Sequence, residues 1–173
     1  MTKSLNGWLV APLLALAVLA SACRDTASGD LFALDGKLFV FNYRVATATY
    51  LINLKQLRPL DGGHVAIASF EDPAGGAPIV VREKIWPQST RTTINSPPVH
   101  CIRKDRPYKA SIRIEAASGE LVQQIETTLV SNQDQTDLPD RPLVVGPFYE
   151  PNPELKGRPG GDLPDNGGVR CPA

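Results

Sequence analysis

Residues 106–130 read RPYKASIRIEAASGELVQQIETTLV, and this stretch predicts the fold more clearly than any other. Two runs in it have a period of two, the pattern of strands with one buried and one solvated face. Residues 117–119 between them offer a turn in which Gly119 can take a positive φ. The stretch predicts an antiparallel β-hairpin, whose apolar face needs a partner sheet because an isolated hairpin is marginally stable in water.

Further short β-rich runs supply that partner, and turn-forming residues separate them. We find no alternation of strands with helices, so a parallel α/β sheet is not expected. Seven or eight strands at this spacing predict an all-β fold, a single antiparallel β-sandwich of the immunoglobulin or transthyretin type. The runs beyond the hairpin lie at residues 37–45, 47–57, 64–71, 79–86, 91–94 and 99–102.

The composition limits the classes of function. The chain has 18 basic and 18 acidic residues, so its charge gives no reason to expect nucleic acid as a partner. No Gly-rich phosphate loop and no Gly-x-Ser-x-Gly nucleophile motif stands in the required context. The sequence therefore predicts a protein that is not an enzyme and has no cofactor.

The first residues have the features of an export signal. Lys3 precedes an uncharged run over residues 8–22, which is short for a membrane span but typical of a signal peptide. Residues 19–23 read LASAC and resemble a bacterial lipobox, in which the cysteine is acylated and becomes the first mature residue. This resemblance implies a lipoprotein anchored through Cys23, with Arg24 favouring the outer membrane and its periplasmic side. An ordinary signal peptide cleaved after Ala22 is the alternative.

The other two cysteines, Cys101 and Cys171, are predicted to form a disulfide. An exported chain resides in an oxidising compartment, where two remaining cysteines most simply pair with each other. Two free buried thiols, or a poorly formed bond, are the alternative. A zinc site is not expected, because His64, His100 and Cys101 offer fewer than the four ligands that structural zinc requires.

The chain divides into four parts by composition. We predict a signal peptide over residues 1–22, a tether over 23–35, a sandwich domain over 36–150 and a Pro/Gly-rich tail over 151–173. Residues 142–149 are interpreted as an edge strand or as an extended segment packed on the sandwich.

Three residues are candidates for binding a partner. Trp86 is interpreted first as a core residue, with an exposed recognition patch as the alternative. Arg82 and Lys84 belong to a locally basic stretch, which is either a solvated sheet face or a docking face for an acidic partner.

Residues 39–130 resemble small envelope lipoproteins of the type III secretion pilotin family and its YbaY-type relatives. The matching features are a strand ending in a Ser/Phe-Glu-Asp type turn at 68–72, an Ala-Pro followed by an apolar strand at 77–85, and a polar strand after it. The spacing from Ile102 to Tyr108 and the Glu-Thr-Thr at 126–128 in the second hairpin strand also match. This resemblance implies a lipid-anchored β-sandwich that, in pilotin members, binds and delivers a secretin subunit. A similarity to the transthyretin-like lipoprotein of type VI secretion rests on architecture alone.

The function predicted from these features is that of a non-enzymatic binding or assembly factor. Its partners would be the membrane, through the lipid anchor, and another envelope protein, for instance a secretion-system component. A partner strand could also add to an exposed sheet edge. The alternative is a binder of a small ligand or glycan, or an inhibitor of an envelope hydrolase.

Overall fold

The computed structural model describes residues 29–156 and 171–172, and all structural statements below refer to these residues. The compact unit that contains the sheets begins at Leu31. The predicted signal peptide, Cys23 and residues 24–28 of the predicted tether lie outside the described residues. None of the described helices is long and apolar enough to cross a membrane.

Seven main strands form two antiparallel sheets, as the sequence predicts. One sheet has three strands in the order β1-β2-β5, and the other has four in the order β4-β3-β6-β7. In the lettering of immunoglobulin-like domains these are the sheets A-B-E and C′-C-F-G, so of the two predicted sandwich types the strand order matches the immunoglobulin-like one. The strands are β1 Phe32–Asn42, β2 Thr47–Gln56, β3 Val65–Phe70, β4 Ile79–Lys84, β5 Arg91–Asn95, β6 Pro107–Glu115 and β7 Leu121–Val130.

The hairpin predicted from residues 106–130 is confirmed as β6 and β7. Ile112 lies opposite Ile125, and Tyr108 lies opposite Leu129. Gly119 has a φ of 85° in the connecting turn, where a left-handed conformation suits glycine.

The core lies between the two sheets and is rich in aromatic rings. The ring centroids of Phe39 and Tyr50 are 4.5 Å apart, and those of Tyr50 and Phe70 are 4.8 Å apart. Tyr108 completes this cluster in an edge-to-face contact with Phe39, with the two ring centroids 5.5 Å apart. These spacings are typical of favourable ring contacts, which join residues from both sheets. Around them pack the buried aliphatic side chains Ile52, Leu54, Ile85, Ile94, Ile102, Ile112, Ile114 and Leu129.

The first strand begins at Phe32, four residues before the predicted start of the domain at residue 36. Phe32 is fully buried. The Gln123 side chain on β7 binds this segment, accepting from the amides of Leu31 and Phe32 and donating to the Phe32 carbonyl. The period-two pattern is interrupted by an irregularity between Leu34 and Gly36, and this irregularity conceals the strand in the sequence.

Residues after β7 form a third, much smaller sheet. Val144–Val145 (β8) pairs with Glu150–Pro151 (β9), and short 3-10 helices lie at Gln135–Asp137 and Pro153–Leu155. The predicted boundary between residues 150 and 151 therefore falls inside β9. The predicted edge strand at 142–149 pairs with β9 rather than with either large sheet.

Cys101 and Cys171 are joined by a disulfide, as predicted, across a sequence separation of 70 residues.

The strand directions define two ends of the sandwich. The proximal end holds Leu31 and the connections at 57–64, 85–90 and 116–120. The distal end, reached after the 11 residues of β1, holds the connections at 43–46, 71–78 and 96–106. At the rise of a β-strand the two ends are about 35 Å apart.

Candidate functional site

The three predicted partner-binding residues lie on one face of the four-stranded sheet. Arg82 and Lys84 belong to the edge strand β4, and both point away from the core. Trp86 follows two residues later on the same side, and the Lys84 ammonium lies 3.9 Å from the centroid of its ring. The structure thus brings these residues together, and their binding of a partner stays a prediction.

The interpretation of Trp86 as a core residue is wrong, because half of its surface is exposed (50%). Ile85 takes the inward position instead, where it is 1% exposed and its amide donates to the His64 carbonyl. Adjacent residues of an extended chain point to opposite sides, so burying Ile85 turns Trp86 outward.

One acidic side chain, Glu115, partly neutralises two arginines of this face. The register of β3 places Ile67 between Arg82 on one neighbouring strand and Arg113 on the other. The carboxylate of Glu115 lies 3.1 Å from Arg113 and 3.9 Å from Arg82. Both arginine side chains are at least half exposed, so these ion pairs contribute little to stability.

Trp86 also lies at the proximal end, close to the start of β1. The Leu31 carbonyl accepts a hydrogen bond from the Leu57 amide. The side chain of Gln56, next to Leu57, reaches the Pro87 carbonyl over 3.4 Å. The end of β2 therefore bonds both Leu31, where the compact unit begins, and Pro87, the residue after Trp86.

A second cluster of exposed aromatic residues lies at the distal end, and the sequence analysis missed it. Phe148 is 85% exposed at the tip of the β8–β9 hairpin, and Tyr149 beside it is 54% exposed. Tyr43, in the β1–β2 turn, is also exposed. We call Tyr43, Phe148 and Tyr149 the aromatic tip. The sequence signal that could have found it is Gly146-Pro147, a turn pair between Val145 and two aromatic residues.

Backbone hydrogen bonds fasten the aromatic tip to the sandwich. The Arg44 carbonyl accepts from the amides of Leu143 and Val144, and the Arg44 guanidinium lies 5.2 Å from the Tyr149 ring. Asn152 is buried, and its side chain donates to the Pro142 carbonyl and accepts from the Glu154 amide. These contacts hold the hairpin against the β1–β2 turn.

The buried hydroxyls at the distal end serve the fold. Tyr50 donates to the Glu71 carbonyl, and burial, followed by the nearby Tyr108 and Glu71, raises the pKa of Tyr50 above its usual range. The Arg106 guanidinium pairs with the Glu71 carboxylate over 2.7 Å and stacks on the Tyr108 ring. The pKa of Arg106 is raised, and the main cause is its hydrogen bond with Tyr108. These groups bind one another and present no nucleophile with an adjacent base.

Asp134 has an ionised carboxyl held by its own turn. Burial favours the neutral acid, but hydrogen bonds from the amide and hydroxyl of Thr136 outweigh this effect and lower the pKa of Asp134. Asp134 thus caps the 3-10 helix at Gln135–Asp137, and this role accounts for its ionised carboxylate without a bound ligand.

The histidines are not gathered with other ligands. His64 lies in the turn before β3, with its Nδ1 atom 2.9 Å from the Asp61 carbonyl. Within residues 29–156 and 171–172, no three His, Cys, Asp or Glu side chains are grouped so that they could hold a metal ion.

Comparisons with known proteins do not identify the chain. No family model matches it. No curated protein matches it either. Among solved structures, it is similar to an endonuclease/exonuclease/phosphatase from Beutenbergia cavernae DSM 12333, with 16% identity and a TM-score of 0.28. The match covers 56% of this chain and 28% of that one, so the chain spans little more than a quarter of that protein. A TM-score this low establishes no common fold and carries no argument about activity.

Proposed function

We propose that this protein is a lipoprotein of a bacterial envelope whose immunoglobulin-like domain binds another envelope protein without catalysing a reaction. The lipobox-like LASAC at 19–23 supports the anchor, and Arg24 supports a position in the outer membrane, facing the periplasm. The described residues offer an ordered sandwich with exposed aromatic side chains and no evident catalytic arrangement.

The aromatic tip is the single observation that carries the binding role. A side chain such as Phe148, 85% exposed on a hairpin of defined shape, has no role in the core. Aromatic side chains presented on an ordered scaffold are typical anchors of protein interfaces, because they bury much area and lose little conformational entropy on binding. The hairpin therefore has the properties of a recognition loop.

The position of the aromatic tip suits a partner in the periplasm. If Cys23 is acylated, the seven residues 24–30 separate it from Leu31 and extend over at most about 25 Å. The tip lies at the distal end, a further strand length from Leu31. It would thus point away from the membrane that holds the anchor, toward proteins of the periplasm or of the opposite membrane.

The resemblance to pilotin lipoproteins supports a secretion-system component as the partner. A secretin subunit is the partner that this resemblance implies, and we propose it as the first protein to test.

The anchor is tested by the intact mass of the protein purified from membranes. We expect a chain that begins at Cys23 and carries the added mass of acyl groups. A soluble, unacylated chain beginning near Cys23 would contradict the lipoprotein proposal.

The binding role is tested by crosslinking in intact cells, followed by mass spectrometry of the captured proteins. Phe148→Ser should abolish the capture of the specific partner. Leu38→Ser is the matched control, since Leu38 is also an exposed apolar side chain (47%) but lies on β1 of the other sheet, away from the aromatic tip and from the candidate residues of β4. Equal capture by both variants would contradict the role of the aromatic tip, and an absence of any specific partner under several growth conditions would contradict the assembly role.

A glycan is the second candidate ligand, because exposed Tyr43 and Tyr149 offer ring faces on which sugar rings could stack. Calorimetric titration with peptidoglycan fragments separates the two candidates. Binding that Phe148→Ser removes, without any protein partner in the crosslinking experiment, would favour the glycan.

A further inference from the structure

We infer that the proximal end of the sandwich contacts the lipid bilayer directly, with Trp86, Leu57 and Leu121 in the interfacial region of the membrane. This inference rests on the lipid anchor of the proposed function. It assigns Trp86 and Lys84 to lipid rather than to a protein partner.

Three large apolar side chains are exposed around the point where the chain enters the sandwich. Trp86 is 50% exposed, Leu57 49% and Leu121 44%. Leu57 adjoins this point because its amide donates to the Leu31 carbonyl. Leu121 lies on its other side, two residues before Gln123, whose side chain accepts from the Leu31 amide. Leu57 and Leu121 therefore flank Leu31, and Trp86 lies at the same end of the sandwich.

The length of the connecting segment keeps this end close to the membrane. Residues 24–30 allow Leu31 to move at most about 25 Å from an acylated Cys23. The distal end has no such restriction, because the sandwich can tilt it away from the bilayer. Of the two exposed aromatic surfaces, the proximal one is thus the surface that an anchored molecule holds against lipid.

The side chains have the chemistry that the membrane interface favours. Tryptophan concentrates at the headgroup level of bilayers, where its ring is apolar and its N–H remains hydrated. The Lys84 ammonium above the Trp86 ring would meet lipid phosphate while its aliphatic stem covers apolar surface. Leucines on both sides would add to the contact by entering the boundary of the acyl chains.

Charge does not dominate this surface. The exposed acids Asp61 and Glu120 lie at the same end and offset basic residues such as Lys84 and Lys55. We therefore expect contact with zwitterionic phosphatidylcholine as well as with anionic lipid, and a weak dependence on salt.

Trp86 can serve as the probe of this contact. The chain has two tryptophans, Trp8 and Trp86, and removal of the predicted signal peptide leaves Trp86 alone. The experiment reconstitutes the acylated protein into phosphatidylcholine vesicles, with or without lipids brominated near the headgroup. We expect the Trp86 emission of the vesicle-bound protein to be shifted to shorter wavelength than the emission of the unacylated chain in detergent-free buffer. We also expect brominated lipid to quench the Trp86 fluorescence.

Two variants make the test specific. Leu57→Glu combined with Leu121→Glu should reduce the quenching by brominated lipid, because two carboxylates resist transfer into the interface. Both side chains are exposed, so the fold should persist, as circular dichroism would verify. Leu143→Glu combined with Val145→Glu is the matched control, since Leu143 (44%) and Val145 (38%) are also exposed but lie beside the aromatic tip at the distal end.

The outcomes separate this inference from the proposed anchor. Acylated protein that stays on vesicles while Trp86 remains unquenched overturns the lipid contact and leaves the anchor intact. A chain without acyl groups overturns the anchor and removes the basis of the inference. Quenching that disappears when a captured envelope protein is added would instead assign the Trp86 surface to that protein.

Discussion

The hydroxyl of Tyr108 accepts a hydrogen bond of 2.7 Å from the backbone amide of Arg103, five residues earlier in the chain. The same hydroxyl lies 3.4 Å from the Cys101 carbonyl. Tyr108 stands near the start of β6, so this contact corresponds to the tyrosine corner of immunoglobulin-like domains. It holds the connection between the two sheets against the aromatic core.

Tyr108→Phe should lower the free energy of unfolding by about 1–3 kcal/mol, because the partly buried Arg103 amide loses its hydrogen-bond acceptor. Urea unfolding of the purified protein measures this change. Tyr43→Phe is the control: Tyr43 is exposed in the β1–β2 turn, and its variant should stay within about 0.5 kcal/mol of the wild type. Equal midpoints for all three proteins would show that the contact is not stabilising.

The raised pKa of Tyr50 predicts a loss of stability at alkaline pH. The folded state favours the neutral phenol, whereas in the unfolded chain Tyr50 would ionise with the ordinary tyrosine pKa of about 10. The stabilisation is therefore fully present below pH 10 and declines as the pH rises above it. Tyrosinate absorbance, followed together with circular dichroism, should show Tyr50 ionising only as the protein unfolds. This prediction would be contradicted if all tyrosines, Tyr50 included, ionised near pH 10 while the protein remained folded.

The Gln123 side chain should be essential for closing β1 onto the sandwich. Gln123→Ala removes three hydrogen bonds to Leu31 and Phe32, so we expect a destabilisation of about 2 kcal/mol and faster amide exchange in the first residues of β1. Gln124→Ala is the matched control on the same strand, because Gln124 is exposed and its amide nitrogen donates to the nearby Glu126 carboxylate rather than to β1. Equal exchange in both variants would refute this role.

Two adjacent glycines should respond differently to the same substitution. Gly63 has a φ of 92°, and a Cβ atom there would lie 2.7 Å from the Cβ of Ala117. Gly63→Ala should therefore destabilise the protein by about 1 kcal/mol or more, since both the backbone and the contact become strained. A Cβ at Gly62 would meet no atom within 4 Å, so Gly62→Ala should be neutral or slightly stabilising. Thermal unfolding of both variants tests this contrast.

The disulfide should contribute strongly to stability. Replacing both Cys101 and Cys171 by serine should lower the free energy of unfolding by about 4 kcal/mol in the chain-entropy description, given the separation of 70 residues. Intact mass before and after reduction should differ by two hydrogen atoms in the wild type. An unchanged mass would show that the bond does not form, and an unchanged stability of the double variant would show that the bond does not constrain the unfolded chain.

The sequence predicted the elements whose signal is local. Side-chain periodicity and turn chemistry predict three such elements: the hairpin of β6 and β7, the alternation of β2 and the turn at Gly119. The structure confirms all three. The start of β1 was misplaced because an irregularity near Gly36 breaks the period and because its hydrogen-bond partner, Gln123, is about 90 residues away.

The candidate surfaces were predictable only in part. Periodicity placed Arg82, Lys84 and Trp86 on one side of a strand, but it could not show which side faces solvent, and the core interpretation of Trp86 failed for this reason. The aromatic tip was missed because Phe148 and Tyr149 resemble core residues in composition. Their exposure results from the pairing of β8 with β9.

By itself the sequence determined the all-β class, the pairing of β6 with β7 and the two cysteines available for a disulfide, because each follows from local pattern or from counting. Only the tertiary structure decided the division of seven strands into A-B-E and C′-C-F-G, and with it the placement of Trp86 at the proximal end and of Phe148 at the distal end. The physical reason is that strands from distant parts of the chain pack against each other to bury one common core. Which surfaces remain exposed depends on that packing as a whole.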